Sequence, residues 1–169
     1  MKKLIITSII LTLSFSVNAQ SWWNSKKVRG NGNVVTKTRS TSNYDAVSVG
    51  GSFDVVLVKG REGKITIKGE SNIIDYIITE VSRGTLKIKF KKNVNIRTTK
   101  RLIVTVPYND INKVSLGGSG NIKSTGVIKA DDLSLSISGS GNMRLEVDAN
   151  EVKTSLAGSG DIKVKGTTT

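Results

Sequence analysis

Two residue types that most enzymes rely on are missing. The 169-residue chain has no histidine and no cysteine. That removes the commonest general base, the usual zinc ligand and every Ser-His or Cys-His nucleophile. It also rules out disulfides as stabilisers and acylation of a lipobox cysteine. Paired carboxylates remain as a route to acid–base work, but their spacing does not suit it. Asp131 and Asp132 are adjacent, so on a strand they point to opposite faces. Glu146 and Asp148 share a face beside Arg144, the pattern of a solvated edge.

Two Gly-rich lookalikes fail on single positions. "GGSGNIKS", residues 117–124, resembles a phosphate-binding loop, but Ile122 stands where that loop needs Gly before Lys-Ser. The calcium nonapeptide needs Asp two residues after its last Gly, where this chain has Ile122, Met143 and Ile162. The expectation is a chain without catalytic residues, metal or cofactor. The sharpest enzymatic alternative is a lyase for acidic polysaccharide using Arg or Lys as base. The long loops and acidic cation cluster of such a site are missing from the sequence.

What chemistry remains is cationic. Lys and Arg number 26 against 13 Asp and Glu, a formal net charge of +13. From Arg83 to Arg101 there are eight basic residues and no acid. Lys87, Lys89 and Lys91 alternate there with Leu86, Ile88 and Phe90, giving a strand with one apolar and one basic face. A second set, Lys123, Arg144 and Lys163, occupies one slot of a repeated phrase. Stacked strands would align these three as a column at the ~4.8 Å strand spacing. Repulsion of about 1 kcal/mol per pair in water is tolerable, so a solvated face explains the column as well as a binding site does.

The phrase that positions this column is "VSLGGSGNI" from Val114, "LSISGSGNM" from Leu135 and "TSLAGSGDI" from Thr154. An earlier copy, "VSVGGSFDV" from Val47, keeps the alternation and places Asp54 in the Asn/Asp slot. Period-two patterning predicts strands with one dry face. Gly118, Gly120 and Asn121, then Gly139, Gly141 and Asn142, then Gly158, Gly160 and Asp161, are expected to turn equivalent corners. The spacing suits rungs that bury their dry faces only by stacking on one another. The expected fold class is all-β, a β-helix-like solenoid with Gly-Ser-Gly corners and an irregular N-terminal β meander. "SNIIDYIITEVSRG", from Ser71, fits either a helix capped by Ser71 or Asn72 or a strand rich in Ile and Val.

Ahead of the repeat, Lys2, Lys3 and the apolar run Leu4 to Val17 precede Val17-Asn18-Ala19, the pattern of a signal peptide covering residues 1–19. Its removal leaves 150 residues, one domain in length, with 24 basic and 13 acidic residues. Residues 20–29, with Trp22 and Trp23, are expected to be a flexible leader before a single domain over 30–169. The protein is expected in the periplasm or at the cell surface, with no transmembrane segment after cleavage. Acidic polysaccharide, lipopolysaccharide or another envelope protein are the expected partners, and nucleic acid is not.

The runs "YDAVSVGGSFDVVLVKG" and "IIDYIITEVSRGTLKIKFK", with the recurrent "SGSGN/D", resemble the head GIN domain of putative auto-transporter adhesins. The resemblance covers the chain from about Gly30 onward. It implies an all-β, β-helix-like head of the cell envelope without established activity. The function it implies is a non-catalytic, adhesin-like interaction module, with a purely structural envelope protein as the alternative.

Overall fold

The computed structural model describes residues 25–168. The expected signal peptide, residues 1–19, and the two tryptophans lie outside that range. The described chain is all-β apart from one helical turn. Eleven strands form one continuous sheet, and a separate two-stranded sheet stands beside it.

The repeat sequences pair in parallel and in register. β3 (Ala46–Gly50), β10 (Lys113–Gly118) and the C-terminal part of β11 (Asn121–Gly139) align so that Val47, Val114 and Leu135 are partners. The N-terminal part of β11 pairs instead with β4 (Asp54–Lys59), which pairs with β9 (Ile103–Tyr108). β12 (Asn142–Gly158) follows β11 along most of its length, and β13 (Asp161–Thr168) follows the first half of β12. Both parts of β11 send side chains into one core, Ile122 and Ile128 from the first, Leu133, Leu135 and Ile137 from the second. The alternation read from sequence therefore has its cause in packing. Each such side chain, fully buried, contributes roughly 1.5–3 kcal/mol of hydrophobic stabilisation.

Away from the repeats the pairing turns antiparallel. β2 (Val34–Ser40) lies against β5 (Lys64–Glu70), β5 against β9, and β6 (Ile77–Ser82) against β7 (Thr85–Phe90). β7 also continues the parallel series by pairing with β3. The ambiguous segment divides between both readings. Ser71–Ile74 is a single helical turn, α1, and β6 begins at Ile77. Its N-cap is Glu70, which makes no capping bond, rather than Ser71 or Asn72.

The expected flexible leader needs correction. β1 (Lys26–Arg29) pairs in parallel with β8 (Val94–Arg97), within residues assigned to that leader. Two contacts account for its order. Val28 packs against the core beside Ile96, and the Lys26 ammonium lies 5.5 Å from the centre of the Tyr76 ring.

The unequal repeat spacings also have a local origin. The pairing register of β11 with β12 shifts between Lys123 and Val127, where Ser124, Thr125 and Gly126 oppose the single residue Leu145. This bulge absorbs the two extra residues of the first interval. The Ser124 hydroxyl accepts a hydrogen bond from the Glu146 N–H at 2.9 Å, and the buried Tyr108 hydroxyl donates to the Gly126 carbonyl at 3.2 Å.

Candidate functional site

The candidate site lies on the outward face of β4, β11, β12 and β13. Inward residues alternate with outward ones, so burying Ile122, Met143 and Leu145 forces Lys123 and Arg144 out to solvent. Lys123 is the register partner of Arg144, and Arg144 of Lys163. The three cations thus occupy neighbouring strands at one position, and all three are exposed. None of them takes part in a salt bridge among the described residues.

Two residues earlier on each strand runs a second column. Asp54, Asn121, Asn142 and Asp161 are successive register partners. The Asn121 amide donates to the Asp54 carboxylate at 2.8 Å, and the Asn142 amide donates to the Asn121 oxygen at 3.1 Å. Two shallow cavities border these columns. One, of about 330 Å³, runs between Arg101, Asn121, Lys123, Asn142 and Arg144, and the other, of about 360 Å³, between Lys123, Arg144, Lys163 and Lys165. Lys123 and Arg144 belong to both, so the surface is one trough crossing the strands.

The glycines hold these columns in line. Gly118 pairs with Gly139 and Gly139 with Gly158, with φ of 113°, 130° and 132°. A Cβ on Gly139 would fall onto the Gly118 carbonyl oxygen, and one on Gly158 onto that of Gly139. Gly120, Gly141 and Gly160 form a parallel series, in which a Cβ on Gly141 would meet the Gly120 oxygen and one on Gly160 the Gly141 oxygen. Only glycine combines this backbone with so close an approach. Ser140 and Gly141 both donate to the Gly118 carbonyl, at 3.0 and 3.1 Å. Rotating or widening one turn would displace Asn142 and Arg144, which follow it directly.

The other basic group is placed differently. Lys87 and Lys89 are half-buried on β7, and Lys91 lies just beyond its end. Lys89 forms a salt bridge with Glu80 at 3.2 Å, and the Lys91 ammonium sits 5.7 Å from the Tyr76 ring centre. Glu80 lies on β6, directly opposite Lys87. A strand that looks wholly cationic in sequence is therefore partly neutralised by its antiparallel neighbour. This face and the Lys123 column belong to different parts of the sheet.

Sequence reasoning did not single out Arg101, Lys165 or Asp54 as site residues. Asp54 carried a usable signal, since it fills the Asn/Asp slot of the Val47 copy. Arg101 was visible only as the end of the Arg83–Arg101 basic run, because the approach of its loop to β11 depends on β9 pairing with β4. Three of the four carboxylates rejected above are engaged elsewhere. Asp148 bridges Lys129 at 3.3 Å, Asp131 accepts from Asn150 at 3.3 Å, and Asp132 lies 3.9 Å from Lys153. Among the described residues no cluster of acids has metal-binding geometry. No helix there is long and apolar enough to cross a membrane.

Glu70, another residue missed in sequence, is 1% exposed. Burial pushes its carboxyl upward, but hydrogen bonds from the Thr99 hydroxyl and N–H, the Gly32 N–H and the Lys100 N–H outweigh burial and hold it at about 2. It fixes the Thr98–Lys100 loop, which leads directly to Arg101 at the trough.

Comparison with known proteins adds the following. The family model described as "Putative auto-transporter adhesin, head GIN domain" matches residues 43–169. A solved putative lipid binding protein from Parabacteroides distasonis is 26% identical, with a TM-score of 0.75 over 83% of this chain and 63% of that one. A putative adhesin from Parabacteroides merdae has the same TM-score at 20% identity, over 83% of this chain and 59% of that one. A second putative adhesin from P. distasonis has a TM-score of 0.63 at 21% identity, over 83% and 69%. The chain therefore spans about three fifths of the length of the first two. No curated protein matches it.

Proposed function

Because the chain belongs to the family of the putative auto-transporter adhesin head GIN domain, we propose that it is a non-catalytic, exported interaction module of the cell envelope. In this reading it binds polyanions through the Lys123, Arg144 and Lys163 column. The observation that carries the reading is the column's state. Three outward cations stand in register on consecutive strands, without a salt-bridge partner among the described residues. Charges held in a row without internal partners attract a repeating anion, and the repulsion among them is relieved when it binds.

The stacked strands read as a β-helix-like solenoid with Gly-Ser-Gly corners. Support for this comes from the in-register parallel pairing and from the glycine-on-glycine approach at residues 118, 139 and 158. The names of the structural neighbours, adhesin and lipid binding protein, favour contact with an envelope surface. The basic set on β7 is the weaker candidate, since Glu80 already engages it.

The test is binding to acidic polysaccharide, lipopolysaccharide and anionic vesicles at two salt concentrations. The chain should be compared with its Lys123→Gln/Arg144→Gln/Lys163→Gln variant. Binding that is lost in the variant and weakened by salt supports the proposal. Absence of binding to every polyanion at low salt leaves only the role of a structural envelope protein.

A further inference from the structure

We infer that the trough fits a polyuronate, a polysaccharide carrying one carboxylate on every sugar, lying across the strands along the stacking direction. This rests on the polyanion reading above and names its ligand class.

Spacing is the first argument. Consecutive strands lie ~4.8 Å apart, and Lys123, Arg144 and Lys163 occupy consecutive strands. A pyranose residue advances a polysaccharide by about one strand spacing, so the polymer carries on average one carboxylate for each cation of the column. A polymer charged only at wider intervals falls out of step with the column.

The second argument is the neighbouring amide column. Asn121 and Asn142 lie two residues before Lys123 and Arg144 on the same face, roughly 7 Å away along the strand. Each amide uses one N–H in the ladder and keeps another donor, and the Asn142 oxygen is an acceptor. A uronic acid carries its carboxylate on one edge of the ring and vicinal hydroxyls on the opposite edge. For each sugar whose carboxylate faces the column, the cations match the first edge and the amides the second. Polyphosphate has no hydroxyls for the amides, and a lipid headgroup supplies no repeat.

The acids bordering the trough fix the orientation. Asp54 and Asp161 end the amide column, where they accept hydroxyls and repel carboxylates. They therefore hold the charged edge of the polymer over the cations. Glu146 borders the far side with Lys165 as its register partner, so its charge is locally balanced.

Polygalacturonate, its methyl ester and inorganic polyphosphate, offered to the unmodified chain, test the inference without relying on any variant. Polygalacturonate should bind best, the ester at least about tenfold more weakly for loss of charge, and polyphosphate more weakly at equal charge. Affinity for galacturonate oligomers should rise with length and level off once the column is covered. Asn121→Ala/Asn142→Ala should lower polygalacturonate affinity by a larger factor than polyphosphate affinity. If polyphosphate binds as tightly as polygalacturonate and the triple column variant abolishes it, the sugar inference falls while the polyanion reading stands. If none of the three binds at low salt, both fall.

Discussion

Asn142 donates its side-chain amide to the oxygen of Asn121, its register partner one strand away, at 3.1 Å. The Asn121 amide in turn donates to Asp54. This ladder ties three strands at the point where the chain leaves its glycine turns, one position from the buried Ile122 and Met143 and two from the cations. Asn142→Ala should destabilise by about 0.5–1.5 kcal/mol. In a double-mutant cycle with Asn121→Ala, denaturant unfolding should give a non-zero coupling.

The stacked glycines are the most sensitive positions. Gly139→Val should cost on the order of 3 kcal/mol or more, through both positive φ and collision with the Gly118 carbonyl. Ser138→Val, at an exposed position one residue earlier, should stay within about 0.5 kcal/mol. Thermal melts of the two variants side by side check this. Equal melting temperatures would mean that the glycines are ordinary loop residues.

Glu70 gives a pH dependence with a definite sign. Its folded carboxyl is lowered from 4.5 to about 2. The stability it contributes is fully present above its unfolded value and is lost as pH falls through the folded one. Glu70→Gln should therefore destabilise by about 1–3 kcal/mol at pH 7. Between pH 5 and pH 2 the gap to the unmodified chain should close. Denaturant melts across that range measure it, and a gap that widens on acidification would contradict the hydrogen-bonded carboxylate.

Much of the parallel stack was legible in the sequence. The alternation of Leu133, Leu135 and Ile137 and the repeated glycines point to strands sharing one dry face, and those residues are buried. The difference between the repeat spacings was visible too, but its location in the Ser124–Gly126 bulge was not. Tyr108 and Leu145, which define that bulge, lie far from it in sequence. Glu70 escaped notice for a similar reason, because its donors come from residues 32, 99 and 100. The β1–β8 pair carries little alternation, so its four residues looked like leader. The neutralisation of Lys89 depends on Glu80 folding back across an antiparallel turn.

Calcium should leave the melting temperature unchanged, because Asp161 and Asp54 sit at opposite ends of the ladder with amides between them. A calcium-dependent rise abolished by Asp161→Ala would show that the turns bind metal.

The most direct test of the central claim is the salt dependence of binding to polygalacturonate. Log Kd should be measured against log salt for the unmodified chain and for Lys123→Gln/Arg144→Gln/Lys163→Gln. The triple variant should remain folded, since exposed charges contribute little to stability, and its slope should be smaller by about two, through lost counterion release. The matching Lys87→Gln/Lys89→Gln/Lys91→Gln variant should leave the slope nearly unchanged. A slope that stays the same in the column variant, or falls only in the β7 variant, would contradict the account.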